Sequence, residues 1–224
     1  MPIAAVIFDM DGLMLDTEPI YGHAWQTAAA ELGHPLDAGL YSRMFGRNNT
    51  DCEGMLLEQF GSGFPLAEFR IRWKALWDER VERCGIARKP GLLELLAYLE
   101  AAHIPMAVAT SSGRDYVTRS LRYGGLDGRF RHIVTYSDVQ RGKPAPDIYL
   151  EAARILGVAP ADCIAIEDSE AGAVSAAAAG IPVLLIPDLK PPSAAATGAA
   201  LCVFDSLHQV PEFLSRHLPP AARG

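Results

Sequence analysis

A chain of 224 residues, 50% hydrophobic and 21% charged, can bury a sizeable core and lies far from the charge-rich composition of disordered segments. Its formal charge of -7 offers no basic face to a nucleic-acid backbone, so DNA and RNA are not expected partners. The four cysteines, Cys52, Cys84, Cys163 and Cys202, form no C-x-x-C pair, which points to reduced structural thiols rather than a zinc site or a disulfide framework.

Residues 3–8 form an apolar, β-branched run that reads as a strand. The run has no basic start and passes directly into Asp9 and Asp11, which is not expected of a signal peptide. From Thr17 to Cys84 the pattern is helical with no convincing strand, where a strand-to-helix loop ordinarily takes about 2–6 residues. This interval reads as an inserted helical subdomain. Its first helix begins at Thr17 or Glu18 with Pro19 in the first turn, carries Ile20, Ala24, Ala28 and Leu32 on one stripe, and ends at Gly33. Residues 60–65, with Gly61, Ser62 and Gly63, separate two further helices, and residues 88–91 mark the return to the main body.

Beyond that return, strand patterns at 105–109, 131–134, 163–166, 183–186 and 201–203 alternate with helical ones. Leu92, Leu95, Leu96 and Leu99 recur at helical spacing, as do Ile148, Ala152 and Leu156. The alternation predicts an α/β fold, a doubly wound parallel sheet with an inserted α-helical cap. The Rossmann-like core takes residues 1–16 and 85–224, and the cap residues 17–84. The most apolar later stretch, 171–186, is broken by Ser175, Gly180 and Pro182 and is shorter than the ~20 residues of a membrane helix. A cytoplasmic protein without membrane contact is the resulting expectation. Oligomeric state is not legible, with a monomer marginally preferred.

In parallel α/β sheets ligands gather beyond the carboxyl ends of the strands, and here those ends carry chemistry. The first strand stops in Phe8-Asp9-Met10-Asp11-Gly12. Asp9 is suited to attack phosphorus as a carboxylate, and Asp11 to give a proton to a leaving oxygen and later take one from water. An isolated D-x-D pair would as readily cap a strand-to-helix corner. The second strand ends in Thr110-Ser111-Ser112-Gly113, a hydroxyl and backbone donors at a helix start that can cradle a phosphate oxygen. Gly142-Lys143-Pro144 follows the third strand and can set a cation against the oxygens of a transferring group. The fourth ends in Glu167-Asp168-Ser169, hard oxygen ligands for Mg2+ with Ser169 as a helix cap. Each motif alone is common; four at successive strand ends converge on one site.

With these residues in order, nearly the whole chain resembles the haloacid-dehalogenase-like superfamily, in its phosphatase and phosphosugar-mutase branch with a helical cap after the first strand. The matching motifs are Asp9-Met10-Asp11-Gly12-Leu13 with Asp16-Thr17-Glu18, then Thr110-Ser111-Ser112, Lys143-Pro144-Ala145-Pro146-Asp147, and Glu167-Asp168-Ser169 with Ala171-Gly172. The resemblance implies a phosphorylated Asp9 nucleophile and Asp11 as general acid and base. It implies Mg2+ held by Asp9, the Asp11 carbonyl and Asp168, with Glu167 either a ligand or one water away. Thr110, Ser111 and Lys143 would bind the phosphoryl group, and Lys143 together with the metal would keep Asp9 ionised. The implied substrate is a small-molecule phosphate ester, a sugar phosphate or a nucleotide-like compound.

The cap is expected to read the leaving group. Gly46-Arg47-Asn48-Asn49 forms a polar turn able to present hydrogen bonds, so Gly46, Arg47 and Asn48 are the candidate substrate contacts. Tyr21 and Trp25, at i and i+4, are expected to pack a helix interface. Asp11 sets the chain apart from the superfamily's dehalogenases. The sole lysine from Thr17 to Cys84, Lys74, stands too late for the Schiff-base amine of phosphonate-cleaving relatives. β-Phosphoglucomutases are similar across the core and in Trp25 but carry a cap histidine where Tyr21 stands, so a phosphomonoesterase is the expectation and a mutase the alternative. The remaining histidines, including His34, are expected at the surface or at caps.

Overall fold

A computed structural model describes residues 3–44 and 49–217. The chain divides into two compact units, one of Met1–Leu15 with Arg88–Gly224 and the other of Asp16–Ala87.

The first unit holds, among the described residues, a six-stranded sheet in the order β3-β2-β1-β4-β5-β6. Its strands are β1 (Ala5–Phe8), β2 (Met106–Thr110), β3 (His132–Thr135), β4 (Cys163–Glu167), β5 (Val183–Leu185) and β6 (Cys202–Val203). Every pairing is parallel. This is the doubly wound order in which β1 lies at the reversal of strand sequence, where a crevice opens at the carboxyl ends. β1 and β4 are buried along their whole length, the reason they read as continuous apolar runs. The strand expected at 131–134 is β3, which stands at an edge and pairs only with β2 among the described residues.

Alternation along the strands sorts the core. Ala5, Ile7, Ala107, Ala109, Cys163, Ala165, Val183 and Leu185 share one apolar cluster with residues of the helices that connect the strands. Those helices are α7 (Asp147–Leu156), α8 (Glu170–Ala178) and α9 (Ala194–Ala199). The small side chains on both surfaces let helix and sheet approach closely. The intervening Val6, Phe8, Val108, Ile164 and Ile166 are equally buried and point the other way, where the Phe8 and Phe130 rings meet edge-on at 5.8 Å. α5 (Leu92–Ala101) buries Leu92, Leu95, Leu96 and Leu99 and packs against α10 (Val210–Ser215). α6 (Arg114–Tyr123) links β2 to β3. The proline- and alanine-rich stretch after β5 contains α9, capped by Ser193, whose Oγ accepts from Ala196 N.

The second unit is helical in its described residues: α1 (Glu18–Glu31), α2 (Ala38–Met44), α3 (Asn49–Phe60) and α4 (Leu66–Cys84). α1 lies along α4. Trp25 meets Phe69 at 5.0 Å and Trp73 at 5.8 Å, and Tyr21 meets Trp73 at 5.6 Å. The Tyr21 and Trp25 pair thus packs a helix interface. His34 is half-buried, its ring 5.1 Å from both Phe60 and Phe64, because the reversal after α1 returns it over the α3–α4 corner. The Gly46, Arg47 and Asn48 turn lies outside the described residues. No described helix is long and apolar enough to cross a membrane.

Candidate active site

Asp9 extends the β1 ladder by one residue, its N–H donating to Ile166 O at 3.0 Å. The chain then turns tightly. Met14 and Leu15 donate to Met10 O at 2.9 and 3.1 Å, and Gly12 donates to Leu15 O at 2.9 Å. Gly12 adopts φ +82°, and a Cβ there would overlap Asp168 Oδ2. Only glycine combines that dihedral with that approach. The turn brings Asp9 and Asp11 out of the sheet while β1 stays buried.

Lys143 reaches the same point from the loop after β3. Its Nζ stands 2.5 Å from Asp9 Oδ1, 2.6 Å from Glu167 Oε1 and 3.0 Å from Ala109 O. Its side chain is 4% exposed, so it is a buried cation bridging two carboxylates. Burial works against that charge, but Asp9 and Glu167 outweigh it and raise the ammonium above its ordinary range.

Glu167 is saturated. Oε1 accepts from Lys143 and from Tyr149 Oη at 2.7 Å. Oε2 accepts from Asp168 N at 3.1 Å, Ser169 N at 3.2 Å and Ser169 Oγ at 3.0 Å. A carboxylate offers about four lone-pair sites, so little acceptor capacity is left. Burial, then the charge of Glu167, pushes the Tyr149 phenol well up, which keeps it a donor. Ser169 also caps α8, its Oγ accepting from Gly172 N at 3.1 Å. A Cβ on Gly172 would coincide with the Glu167 carboxyl group. Gly172→Ala is therefore expected to push Glu167 aside and cost about 1–3 kcal/mol as an overpacked core, read as a lowered midpoint of thermal unfolding.

Asp11 is held from the β2 side. Ser112 Oγ donates to its Oδ2 at 2.7 Å, Tyr116 Oη to its Oδ1 at 3.1 Å, and Thr110 Oγ1 lies 3.5 Å from Oδ2. Thr110 is buried and its Oγ1 accepts from Ser112 N at 3.1 Å. Ser111 is exposed, and it is Ser112 that turns inward.

Oxygens of Asp9, Glu167 and Asp168 lie within 4.8 Å of one another. One ammonium faces these three carboxylates, and Lys143 divides itself between two of them. Burial, opposed by Lys143 but reinforced by Glu167 and Asp11, pushes the Asp9 carboxyl up to about 8. Burial, together with Asp9 and Glu167, likewise raises Asp168 well above the carboxylate range. An all-oxygen donor set carrying surplus negative charge fits a hard divalent cation. With its acceptor sites taken, Glu167 fits the task of holding Lys143 better than that of a ligand.

Sequence reasoning missed Tyr149, Tyr116 and the pair Lys89–Asp188, whose Nζ and Oδ1 are 2.5 Å apart. Asp188 could have been found by the signal that singled out Asp9, an acid closing an apolar run. Tyr149 and Tyr116 carry no such signal, since each looks like an ordinary helix residue until its strand neighbours are known.

A doubly wound sheet that gathers these groups at its strand ends has the organisation of a phosphoryl-transfer hydrolase, and the profile of the haloacid dehalogenase-like hydrolases matches residues 3–180. The chain belongs to that family. Among its relatives, the Phosphorylated carbohydrates phosphatase of Thermotoga maritima is 34% identical over 179 residues, 79% of this chain and 82% of the relative. The Bifunctional riboflavin kinase/FMN phosphatase of Arabidopsis thaliana is 29% identical over 187 residues, 83% of this chain but 49% of that protein, so the chain spans about half of its length. Among solved structures, a candidate β-phosphoglucomutase from Thermotoga maritima superposes with a TM-score of 0.81 at 29% identity, covering 97% of this chain and 100% of that one.

Proposed function

We propose that the protein is a Mg2+-dependent phosphomonoesterase that hydrolyses a sugar phosphate or nucleotide-like ester through an aspartyl-phosphate on Asp9. The observation that carries this reading is the placement of Lys143 Nζ within 2.6 Å of both Asp9 and Glu167, in the same cluster as Asp168. Asp9 attacks phosphorus and the ester oxygen departs with the proton of Asp11. Asp11 then takes a proton from water, whose oxygen attacks the phosphorus and releases Asp9 and inorganic phosphate. Thr110 and the backbone donors of its turn hold the phosphoryl oxygens, and Lys143 offsets their charge. Asp9, the Asp11 carbonyl and Asp168 would hold Mg2+, which supplies charge neutralisation for the transferring group and favours ionised Asp9.

The substrate class is supported by the phosphatase of phosphorylated carbohydrates among the relatives. One observation favours a second reading: the candidate β-phosphoglucomutase matches the full length, and an isomerase would return the phosphoryl group to another hydroxyl of the sugar. A screen of sugar phosphates, nucleoside monophosphates and phosphoglycolate, with and without Mg2+, decides between them. Phosphate released stoichiometrically with substrate loss is the expected result. Isomer formation without phosphate, dependent on a bisphosphate activator, would transfer the assignment to the mutase.

Chelation gives a pH test. With a folded value of about 8 against an ordinary 3.8, Asp9 retains its proton where the unfolded chain has released it. The folded state then binds more protons, so stability of the chelated protein falls as pH rises between those values. Mg2+ binds the ionised form, so the gain in thermal midpoint on adding Mg2+ is expected to be larger near pH 8 than near pH 5. An equal gain at both would contradict the assignment.

A further inference from the structure

Asp188 follows β5, and the reading above gives it no role. Its Oδ1 is engaged by Lys89, and its side chain is 10% exposed. Among the described residues its Oδ2 is buried without a hydrogen-bond partner. A stranded acceptor of this kind is costly, more so when charged, and native proteins carry few of them.

The direction of that oxygen supplies a reason. A Cβ on Gly12 would overlap Asp168 Oδ2 and stand 3.3 Å from Asp188 Oδ2, so both oxygens face the same side of the residue that follows Asp11. Lys89 is fixed at its main chain, its N–H donating to Met14 O at 2.9 Å. The pair is therefore anchored to the loop that carries Asp11.

We propose that Asp188 is a positioning residue of the cation site, its Oδ2 accepting a hydrogen bond from water on the divalent ion while Lys89 fixes the carboxylate through Oδ1. Asp188 stands outside the group whose oxygens lie within 4.8 Å of one another, so it acts through water rather than by direct coordination. This rests on the metal-dependent reading above. Partners that orient a metal's surroundings typically change affinity 10–100-fold when removed.

The test is Mn2+ binding to the full chain, followed by the loss of the free-ion electron paramagnetic resonance signal, with Mg2+ competition and thermal unfolding alongside. Asp188→Asn is expected to weaken Mn2+ binding about 10–100-fold. The double variant Asp188→Asn with Lys89→Met strands no charge, so it is expected to keep near wild-type thermal stability and yet show the same weakened binding. If Asp188 serves only as a structural partner of Lys89, both variants will bind Mn2+ as the wild type does. That result overturns the inference and leaves the metal-dependent reading standing. A wild-type chain that binds neither Mn2+ nor Mg2+ overturns both.

Discussion

Asp9→Asn is expected to lose phosphoester hydrolysis by at least about four orders of magnitude, because an oriented nucleophile and the covalent step it opens vanish together. No phosphoenzyme should accumulate on rapid quench. The same substitution is expected to leave the fold intact and to raise, not lower, the thermal midpoint of the chelated protein above about pH 5. The reason is the charge balance of the site. Asp9 is buried beside Glu167 and Asp11, and its carboxyl is pushed up to about 8, so the neutral amide removes the cost of retaining a proton that the unfolded chain has released. Lys143 keeps its contact with Glu167. Dead but stabilised is the signature of a residue kept for reactivity against the interest of folding. Near wild-type turnover, in metal-replete assays free of contaminating phosphatase, would exclude Asp9 as the nucleophile.

Lys143→Met is expected to abolish turnover too, with stability moving the other way. Removing the ammonium leaves Asp9 and the fully buried Glu167 facing one another without the cation that both engage. Breaking a buried ion pair from one side costs about 3–5 kcal/mol. Adding Glu167→Gln should return part of that loss without returning activity, since the amide no longer needs a cation. Urea unfolding of the wild type, the single and the double variant measures both effects. A Lys143→Met protein as stable as the wild type would mean that the carboxylates are held by other means. Opposite stability signs in the two variants are the expected result, and they would separate the proposed nucleophile from the cation beside it.

The centre of the sheet was legible because β1, β4 and β5 are buried along their whole length and so appear as unbroken apolar runs. The edge strand β3 was legible too, though it is only partly buried. The acids were legible because a carboxylate that ends such a run has few reasons to be there. Pairings across the chain were a different matter. Lys143 and Asp9 are 134 positions apart, and the spacing of neither motif says that Lys143 is shared with Glu167. That sharing, and the five donors that fill Glu167, exist only once β1, β4 and α7 are assembled. The choice between Ser111 and Ser112 was illegible for a smaller reason. Adjacent residues in a turn point in different directions, and only the local dihedrals decide which hydroxyl faces Asp11. Asp188 was overlooked because the acid that closes β5 has no second motif beside it; its partner, Lys89, lies 99 positions away.

The two ends of the helical insertion converge: Asp16 N–H donates to Ala87 O at 2.8 Å, and just outside them Leu15 and Arg88 form an antiparallel bridge. A segment that departs and rejoins through neighbouring backbone is a cassette with only two seams. Exchange between relatives then needs no redesign of the sheet, since recombination at those two junctions replaces the whole helical unit while the strand ends stay in place.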